Sequence, residues 1–352
     1  MRVVVTGATG NVGTSVLRKF ALHGDVAHIT GIARRLPSLQ IPKTEWVAAD
    51  VVRDDLALLF EGADAVVHLA WAIQPSRDEA RLHAVNVDGS ARVFDAVARA
   101  GVRTLVYASS IGAYSPGPKD EPGVDESWPT DGIPSSFYSR HKAAVERLLD
   151  RFEREHPDVR CVRLRPGLIF KSQSASEQRR YFAGPLVPTF LMDPRFIPLV
   201  PNTPRLRFQA VHADDVAQAY CLAVVSENAR GAYNVAATPV LDPDRLAELL
   251  HARKVPVPPQ VLRGAAAVTW RLRLQPSPEG WVDMALAVPV MDTARIRNEL
   301  GWEPRKTAGE ALLELLRGMR RQDGAPTPPL RSDGSGPFRI REFLTGIGGR
   351  NP

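Results

Sequence analysis

Arg2-Val3-Val4-Val5-Thr6-Gly7-Ala8-Thr9-Gly10-Asn11-Val12-Gly13-Thr14-Ser15-Val16-Leu17 runs from an apolar stretch, through a glycine-punctuated turn, into helical spacing. Gly7, Gly10 and Gly13 set a Gly-x-x-Gly-x-x-Gly register between a strand and a helix. A dinucleotide pyrophosphate can be held in such a place. A backbone without side chains approaches the phosphates closely, and the free N–H groups of the helix start face the anion. The flanking strand and helix are the context this motif requires. The spacing differs from the Gly-x-Gly-x-x-Gly of many dehydrogenases and points to another branch of nucleotide-binding proteins.

Outward from this loop, strand and helix signals alternate. Strands are predicted at Ala27–Ala33, Thr44–Ala49, Ala65–Ala70, Thr104–Ala108 and Arg160–Leu164. Helices are predicted at Leu56–Phe60, Asn86–Ala100 and Tyr138–Glu155, the last with Val145, Leu148, Leu149 and Phe152 on one face. Repeated strand–helix units imply a Rossmann-type, doubly wound α/β fold, with a parallel sheet covered on both faces. Residues 1–165 form the predicted dinucleotide-binding domain, with later segments around 206–240 interleaved. Residues 166–320 are expected to be mainly a smaller substrate-binding region, with helices at Ala213–Val225 and Pro243–Ala252. Pro185, Pro188, Pro194, Pro198, Pro201 and Pro204 resist regular structure and suggest a shaped loop, read as a substrate lid or a plain connection. The stretch from Gln322, rich in Gly, Pro, Ser and Arg, reads as a mobile tail over 321–352. Phe338, Ile340, Phe343 and Leu344 are the residues in it that could dock.

Composition narrows the class. The 352 residues are 44% apolar and 24% charged, as in soluble globular proteins. Cys161 and Cys221 lie in apolar stretches without disulfide or metal spacing, as expected of core thiols in a reducing cytoplasm. The first strand begins at Arg2, leaving no room for a signal peptide, and no apolar run is long enough to span a bilayer. The net charge of +6 comes from scattered arginines, so a solvated surface is expected rather than nucleic-acid binding.

Tyr138 and Lys142 stand four apart in Tyr-Ser-Arg-His-Lys, on one face of a helix. An ammonium there is expected to lower the tyrosine pKa from its reference of about 10 and to fit it for proton transfer. Ser110 follows a buried strand. In open α/β sheets ligands bind beyond the carboxyl ends of the strands, so Gly7–Gly13, Asp50, Ala70, Ser110 and Pro166 are expected on one edge. His68 reads as a packed strand residue, and His141 is expected to face away from the pair.

Together these motifs resemble the extended branch of the short-chain dehydrogenase/reductase superfamily, the NAD(P)-dependent epimerase/dehydratase-like family. The matching pieces are residues 6–13, Asp50, Val-Val-His-Leu-Ala at 66–70, Asn86-Val87-Asp88-Gly89, Ala-Ser-Ser at 108–110 and Tyr138…Lys142. Arg-Pro-Gly at 165–167, Val-His-Ala-Asp-Asp-Val-Ala at 211–217 and Leu-Gly-Trp-Glu-Pro at 300–304 extend the likeness to roughly residue 320. The resemblance implies that Tyr138 is the general acid/base and that Lys142 holds the nicotinamide ribose and tunes Tyr138. Ser110 would polarise the substrate oxygen, with Ser109 as the neighbouring alternative. Asp50 would accept from the adenine amino group. Asn86 would support a proton-relay water or cap a helix. The expected cofactor set is Gly7, Thr9, Gly10, Asn11, Val12, Gly13, Arg34, Arg35, Asp50, Val51, Leu69, Ala70, Lys142 and Pro166.

The second strand ends in Gly31-Ile32-Ala33-Arg34-Arg35, without an acid for a ribose 2′-hydroxyl. Arg34 and Arg35 suit a 2′-phosphate, so NADP is expected, with NAD the alternative. Ile111 and Gly112 stand where dehydratases carry an acidic pair, and Gly167-Leu168-Ile169-Phe170 lacks the asparagine common in sugar-nucleotide enzymes. The reading is an NADP-dependent oxidoreductase acting on an apolar or small carbonyl compound. A sugar-nucleotide epimerase is the alternative, and a non-catalytic NADP-binding sensor or scaffold the alternative from another class. The expected partner is a small molecule, with neither nucleic acid nor membrane, and the family resemblance raises a homodimer.

Overall fold

The computed structural model describes residues 1–73, 77–182 and 193–332. The chain opens with β1 (Arg2–Thr6), α1 (Asn11–Ala21), β2 (His28–Ala33), β3 (Thr44–Ala48), α2 (Leu56–Phe60) and β4 (Ala65–His68). There follow α3 (Glu79–His83), α4 (Gly89–Arg99), β5 (Thr104–Ala108), α5 (Phe137–Glu155), β6 (Arg160–Pro166), β7 (Leu168–Phe170) and α6 (Ala175–Phe182). The remainder comprises β8 (Leu199–Asn202), β9 (Ala210–His212), α7 (Ala213–Val225), β10 (Gly231–Val235), α8 (Pro243–Leu250), β11 (Arg253–Pro256), α9 (Pro259–Arg271), α10 (Gly280–Ala287), α11 (Ala294–Leu300) and α12 (Ala308–Arg321).

The central sheet has seven strands in the order β10-β6-β5-β4-β1-β2-β3, and every pairing in it is parallel. Strands covered on both faces need continuous apolar sequence, which is why Ala65-Val66-Val67-His68 is buried throughout. One core layer sets α1 and α7 against the sheet through Val16, Leu17, Phe20, Val216 and Tyr220. The other sets α2, α4 and α5 against it through Phe60, Val93, Phe94, Val145 and Leu149. Strand order reverses at β1, which lies between β2 and β4. A crevice opens there at the strand ends, as in other doubly wound sheets.

The expected helix over 86–100 starts with a wide π turn at Ala84–Asp88 before α4. Asn86 caps no helix. Its side chain accepts from the Ala72 N–H (2.7 Å) and donates to the Ala72 carbonyl (3.1 Å), fixing the strand exit after β4. Cys161 and Cys221 are buried free thiols.

The later sequence landmarks are packing devices. His212 caps α7 by accepting from the Asp214 N–H (3.2 Å). Asp215 accepts from the backbone of Arg305 and Lys306 (3.1 and 3.2 Å). The Trp302 indole donates to the Asp215 carbonyl (2.8 Å) from a fully buried position. Residues 300–306 are thereby latched to α7.

The C-terminal reach departs from the expectation of a mobile tail as far as it is described. After α12 the chain turns at Gln322 and folds back, with Ala325, Thr327 and Leu330 buried. Phe338, Ile340, Phe343 and Leu344 lie outside the described residues, as do Pro185 and Pro188. Among the described residues no helix is long and apolar enough to cross a membrane.

Replacing Trp302 by Ala removes a buried indole and its bond to Asp215, and is expected to cost about 3–5 kcal/mol. Urea unfolding of the two proteins measures it, and a loss within error of zero would refute the latch.

Candidate active site

The crevice is lined by Gly7, Thr9 and Gly10 from the glycine loop, Ile32–Arg35 after β2, Ala49–Val51 after β3, and Leu69–Ala72 after β4, with Val85. Glu177, Tyr181, Pro328 and Pro329 close it from the other side. Gly7 has φ +68°, and a Cβ there would fall 2.6 Å from the Ala70 nitrogen, so only glycine lets the loop lie against the end of β4. A Cβ added to Gly10 would meet only the Gly7 carbonyl, at 3.5 Å, so that side of the loop is open. The first-turn N–H groups of α1 follow without a side-chain cap. This bare backbone cradle fits a pyrophosphate. Arg34 stands at the rim beside Asp50: burial lowers its pKa and the Asp50 charge opposes the shift.

Of the residues singled out in the sequence for the cofactor, Gly7, Thr9, Gly10, Arg34, Arg35, Asp50, Val51, Leu69 and Ala70 line this crevice. Asn11, Val12, Gly13, Lys142 and Pro166 do not. Asn11 turns the other way and donates to the Ile169 carbonyl (3.2 Å). Val12 packs against the core, and Gly13 sits tightly on the carbonyls of Gly7 and Ala8. Pro166 is buried in β6, paired with Val235.

Ser110, Tyr138 and Lys142 come together beside the crevice, around Trp71. Ser136 caps α5, and Tyr138 and Lys142 project from its first turns. Ser110 lies beside Tyr138, and its hydroxyl acts to lower the tyrosine pKa. The Ser110 hydroxyl accepts from the Gly112 N–H (3.0 Å). A Cβ on Gly112 would sit 2.9 Å from Tyr138 Cε1, so this glycine admits the ring. Ser109 points away, its hydroxyl 2.5 Å from Glu146 Oε1. The choice of Ser110 over its neighbour thus has a geometric basis.

Lys142 differs from expectation. Its ammonium donates to the Ala108 carbonyl (2.6 Å) and lies 3.4 Å from the centre of the Trp71 ring. Burial pushes its pKa well below the usual lysine value, with Glu146 opposing. The expected depression of the Tyr138 pKa is not seen either. Burial among Trp71, Trp281 and Met284 raises it to about 12, and the nearby Ser110 hydroxyl only partly offsets this. Desolvation of the phenol dominates.

His68 bridges Thr6 and Ser90 (2.7 and 3.0 Å) in full burial, which lowers its pKa to about 3. It is a packed strand residue. His141 faces Asn86, His83 and Phe137 rather than Tyr138.

Sequence reasoning missed Trp71 and Glu146. Trp71 directly follows the Val-His-Leu-Ala strand end. Glu146 lies one further turn along the Tyr138–Lys142 face, a spacing that could have flagged it. It is buried and accepts from Arg163 (2.9 Å) and Arg165 (2.8 and 2.9 Å), both on β6. Burial alone would raise its pKa; the Arg165 hydrogen bonds and charge, then Arg163, hold it at about 2.

The sequence profile of the NAD dependent epimerase/dehydratase family matches residues 3–236. The chain belongs to that family. An uncharacterised protein of Mycobacterium tuberculosis is 27% identical over 327 residues, 92% of this chain, which spans about a third (31%) of that relative's length. A UDP-glucose 4-epimerase of Mycolicibacterium smegmatis is 34% identical over 181 residues, 48% of this chain and 56% of the relative. A short-chain dehydrogenase/reductase superfamily protein from Agrobacterium tumefaciens, solved with bound NAD, superposes with a TM-score of 0.68 at 25% identity, covering 92% of this chain and 98% of that one.

Glu146→Gln is expected to destabilise the fold by ~3–5 kcal/mol at neutral pH, because buried Arg165 loses its counter-charge and Arg163 keeps only Asp150 and Glu153. The carboxyl pKa is lower in the folded protein (about 2) than its ordinary 4.5, so its contribution is complete above 4.5 and is lost as the pH falls toward 2. Urea midpoints at pH 7 and pH 3 should therefore show the gap between wild type and variant narrowing. A gap independent of pH would remove the charge from the explanation.

Proposed function

We propose that the chain is an NADP-dependent enzyme that interconverts a carbonyl and an alcohol on a small molecule, with Tyr138 as the acid/base. The observation that carries this is the meeting of Ser110 and Tyr138, one helical turn from Lys142, beside a crevice with a bare-backbone cradle. When bound, the dinucleotide supplies or accepts the hydride. Tyr138 gives its hydroxyl proton to the carbonyl oxygen in reduction, or takes the hydroxyl proton in oxidation. Ser110 holds that oxygen by a hydrogen bond. Lys142 is placed to donate to a ribose hydroxyl once Trp71 moves off its ammonium. Its charge there would bring the Tyr138 pKa down from the raised value of the ligand-free site.

Arg34 and Arg35 at the rim support a 2′-phosphate and hence NADP. The surroundings of Tyr138 support an apolar substrate. Trp281 lies 5.1 Å from its ring, and Ile133, Met284 and Val288 pack behind. Arg205 and Arg207, which follow the Pro-rich run, and Lys119 beside them are engaged elsewhere. Arg205 donates to the Leu286 and Gly117 carbonyls, Arg207 pairs with Asp120, and Lys119 donates to the Arg207 and Ala285 carbonyls.

A second reading is a sugar-nucleotide epimerase, which oxidises and re-reduces its substrate on a retained cofactor. The M. smegmatis UDP-glucose 4-epimerase favours it. Purified protein separates the two. NADPH consumption with cyclic or aromatic ketones supports the oxidoreductase, whereas interconversion of UDP-glucose and UDP-galactose without net NADPH consumption supports the epimerase.

Tyr138→Phe is expected to lower turnover at least 100-fold, within the range ascribed to general acid–base catalysis, while NADPH binding is retained. Steady-state rates and fluorescence titration check this, and unchanged turnover would overturn the assignment. Arg34→Ala should raise the KM for NADPH more than that for NADH; equal effects would remove the case for NADP.

A further inference from the structure

The segment after α12 has no part in the family match, which ends at residue 236, yet it crosses the crevice. Three elements hold it. The Thr327 hydroxyl, fully buried, donates to the Thr9 carbonyl of the glycine loop (2.9 Å). Ser38, in the loop after β2, donates to the Pro326 carbonyl (3.4 Å). From α6, Ser176 donates to the Asp323 carbonyl (3.1 Å), and Arg180 donates to the carbonyls of Pro329 and Arg331. The segment is also closed on itself. The Ala325 N–H donates to the Leu330 carbonyl (3.0 Å), and a Cβ on Gly324 would fall 2.5 Å from that same oxygen. Pro328 and Pro329, at the outer bend, form the wall of the crevice facing Gly7, Gly10 and Arg34.

We propose that residues 323–332 are a retaining strap, the outer wall of the dinucleotide site, and that its opening sets how fast the dinucleotide leaves. The inference rests on the reading of the crevice as that site. Two consecutive prolines keep the bend stiff and present an apolar surface to a ribose or base. The strap is tied to the two loops that would hold the pyrophosphate and the 2′-phosphate, so a dinucleotide seated on both lies beneath it. Entry and exit then require the Thr327–Thr9 bond to break. Because the strap touches the bound molecule, it slows release more than capture.

The test uses the full chain and NADPH as the probe. Release is followed by stopped-flow fluorescence on displacement with excess NADP, and capture by direct mixing. Thr327→Val keeps the shape of the side chain and removes the donor, and should speed release about fivefold, the effect of one hydrogen bond. Thr327→Ser keeps the hydroxyl and should release near the wild-type rate. Replacing Pro328 and Pro329 together by glycine, which leaves the buried Thr327 and Leu330 in place, should speed release at least as much as Thr327→Val. Wild-type release rates in both the valine and the double-glycine proteins would overturn the strap while leaving the dinucleotide reading intact. Faster capture with unchanged release would also overturn it, since the segment would then exclude the dinucleotide rather than retain it. Failure of the wild-type protein to bind NADPH or NADH would overturn the site itself, and the strap with it.

Discussion

The placement of Ser110, Tyr138 and Lys142 depends on one buried carboxylate. Glu146 joins α5 to β6 through two arginines and to the end of β5 through Ser109. Burying such charges is costly unless they are paired and hydrogen-bonded, and here Glu146 is paired with both arginines while Asp150 and Glu153 also hold Arg163. The pairing fixes α5 in rotation and in height. Tyr138 and Lys142 stand two turns and one turn before Glu146, so their positions against Ser110 follow from the anchor. The two serines divide the work: Ser109 faces the anchor, and Ser110 faces the tyrosine.

The crevice is built on a different principle. Its inner wall includes the glycine loop, brought against the end of β4 by the absence of a side chain at Gly7 and left open at Gly10. Its outer wall comes from residues far along the chain, Glu177 and Tyr181 on α6 and Pro328 and Pro329 after α12. Trp71 belongs to both regions. It lines the crevice, covers the Lys142 ammonium and meets the Tyr138 ring edge-on at 5.9 Å. The crevice and the Ser110–Tyr138–Lys142 cluster are therefore contiguous through one indole.

Much of the fold was legible because its signals are local. The strand–glycine loop–helix opening, the buried runs at 65–68 and 104–108, and the amphipathic α5 all fall where periodicity and turn chemistry put them. Ser110, Tyr138 and Lys142 were legible as a set because strand ends and helix spacing bring them to one edge. What sequence did not show is what depends on partners distant in the chain. The lysine was read as an ammonium that lowers the Tyr138 pKa, but both groups are buried, which lowers the lysine pKa and raises that of the tyrosine. Asn11 has the right place in the motif, yet its side chain is drawn away by Ile169. The sequence after Gln322 has the composition of a tail, yet its described residues, 323–332, are held by the Thr9, Ser38 and Arg180 contacts. None of those partners is visible in a local window.

The indole of Trp71 also gives the protein a built-in optical probe. Its ring rests on an ammonium group and its edge meets a phenol, so its emission reports that local field. A molecule entering the crevice that parts the indole from Lys142 changes the field, and the colour and yield of the emitted light change with it. Occupancy can then be followed from the protein's own light, without a coloured substrate and without knowing what the natural one is.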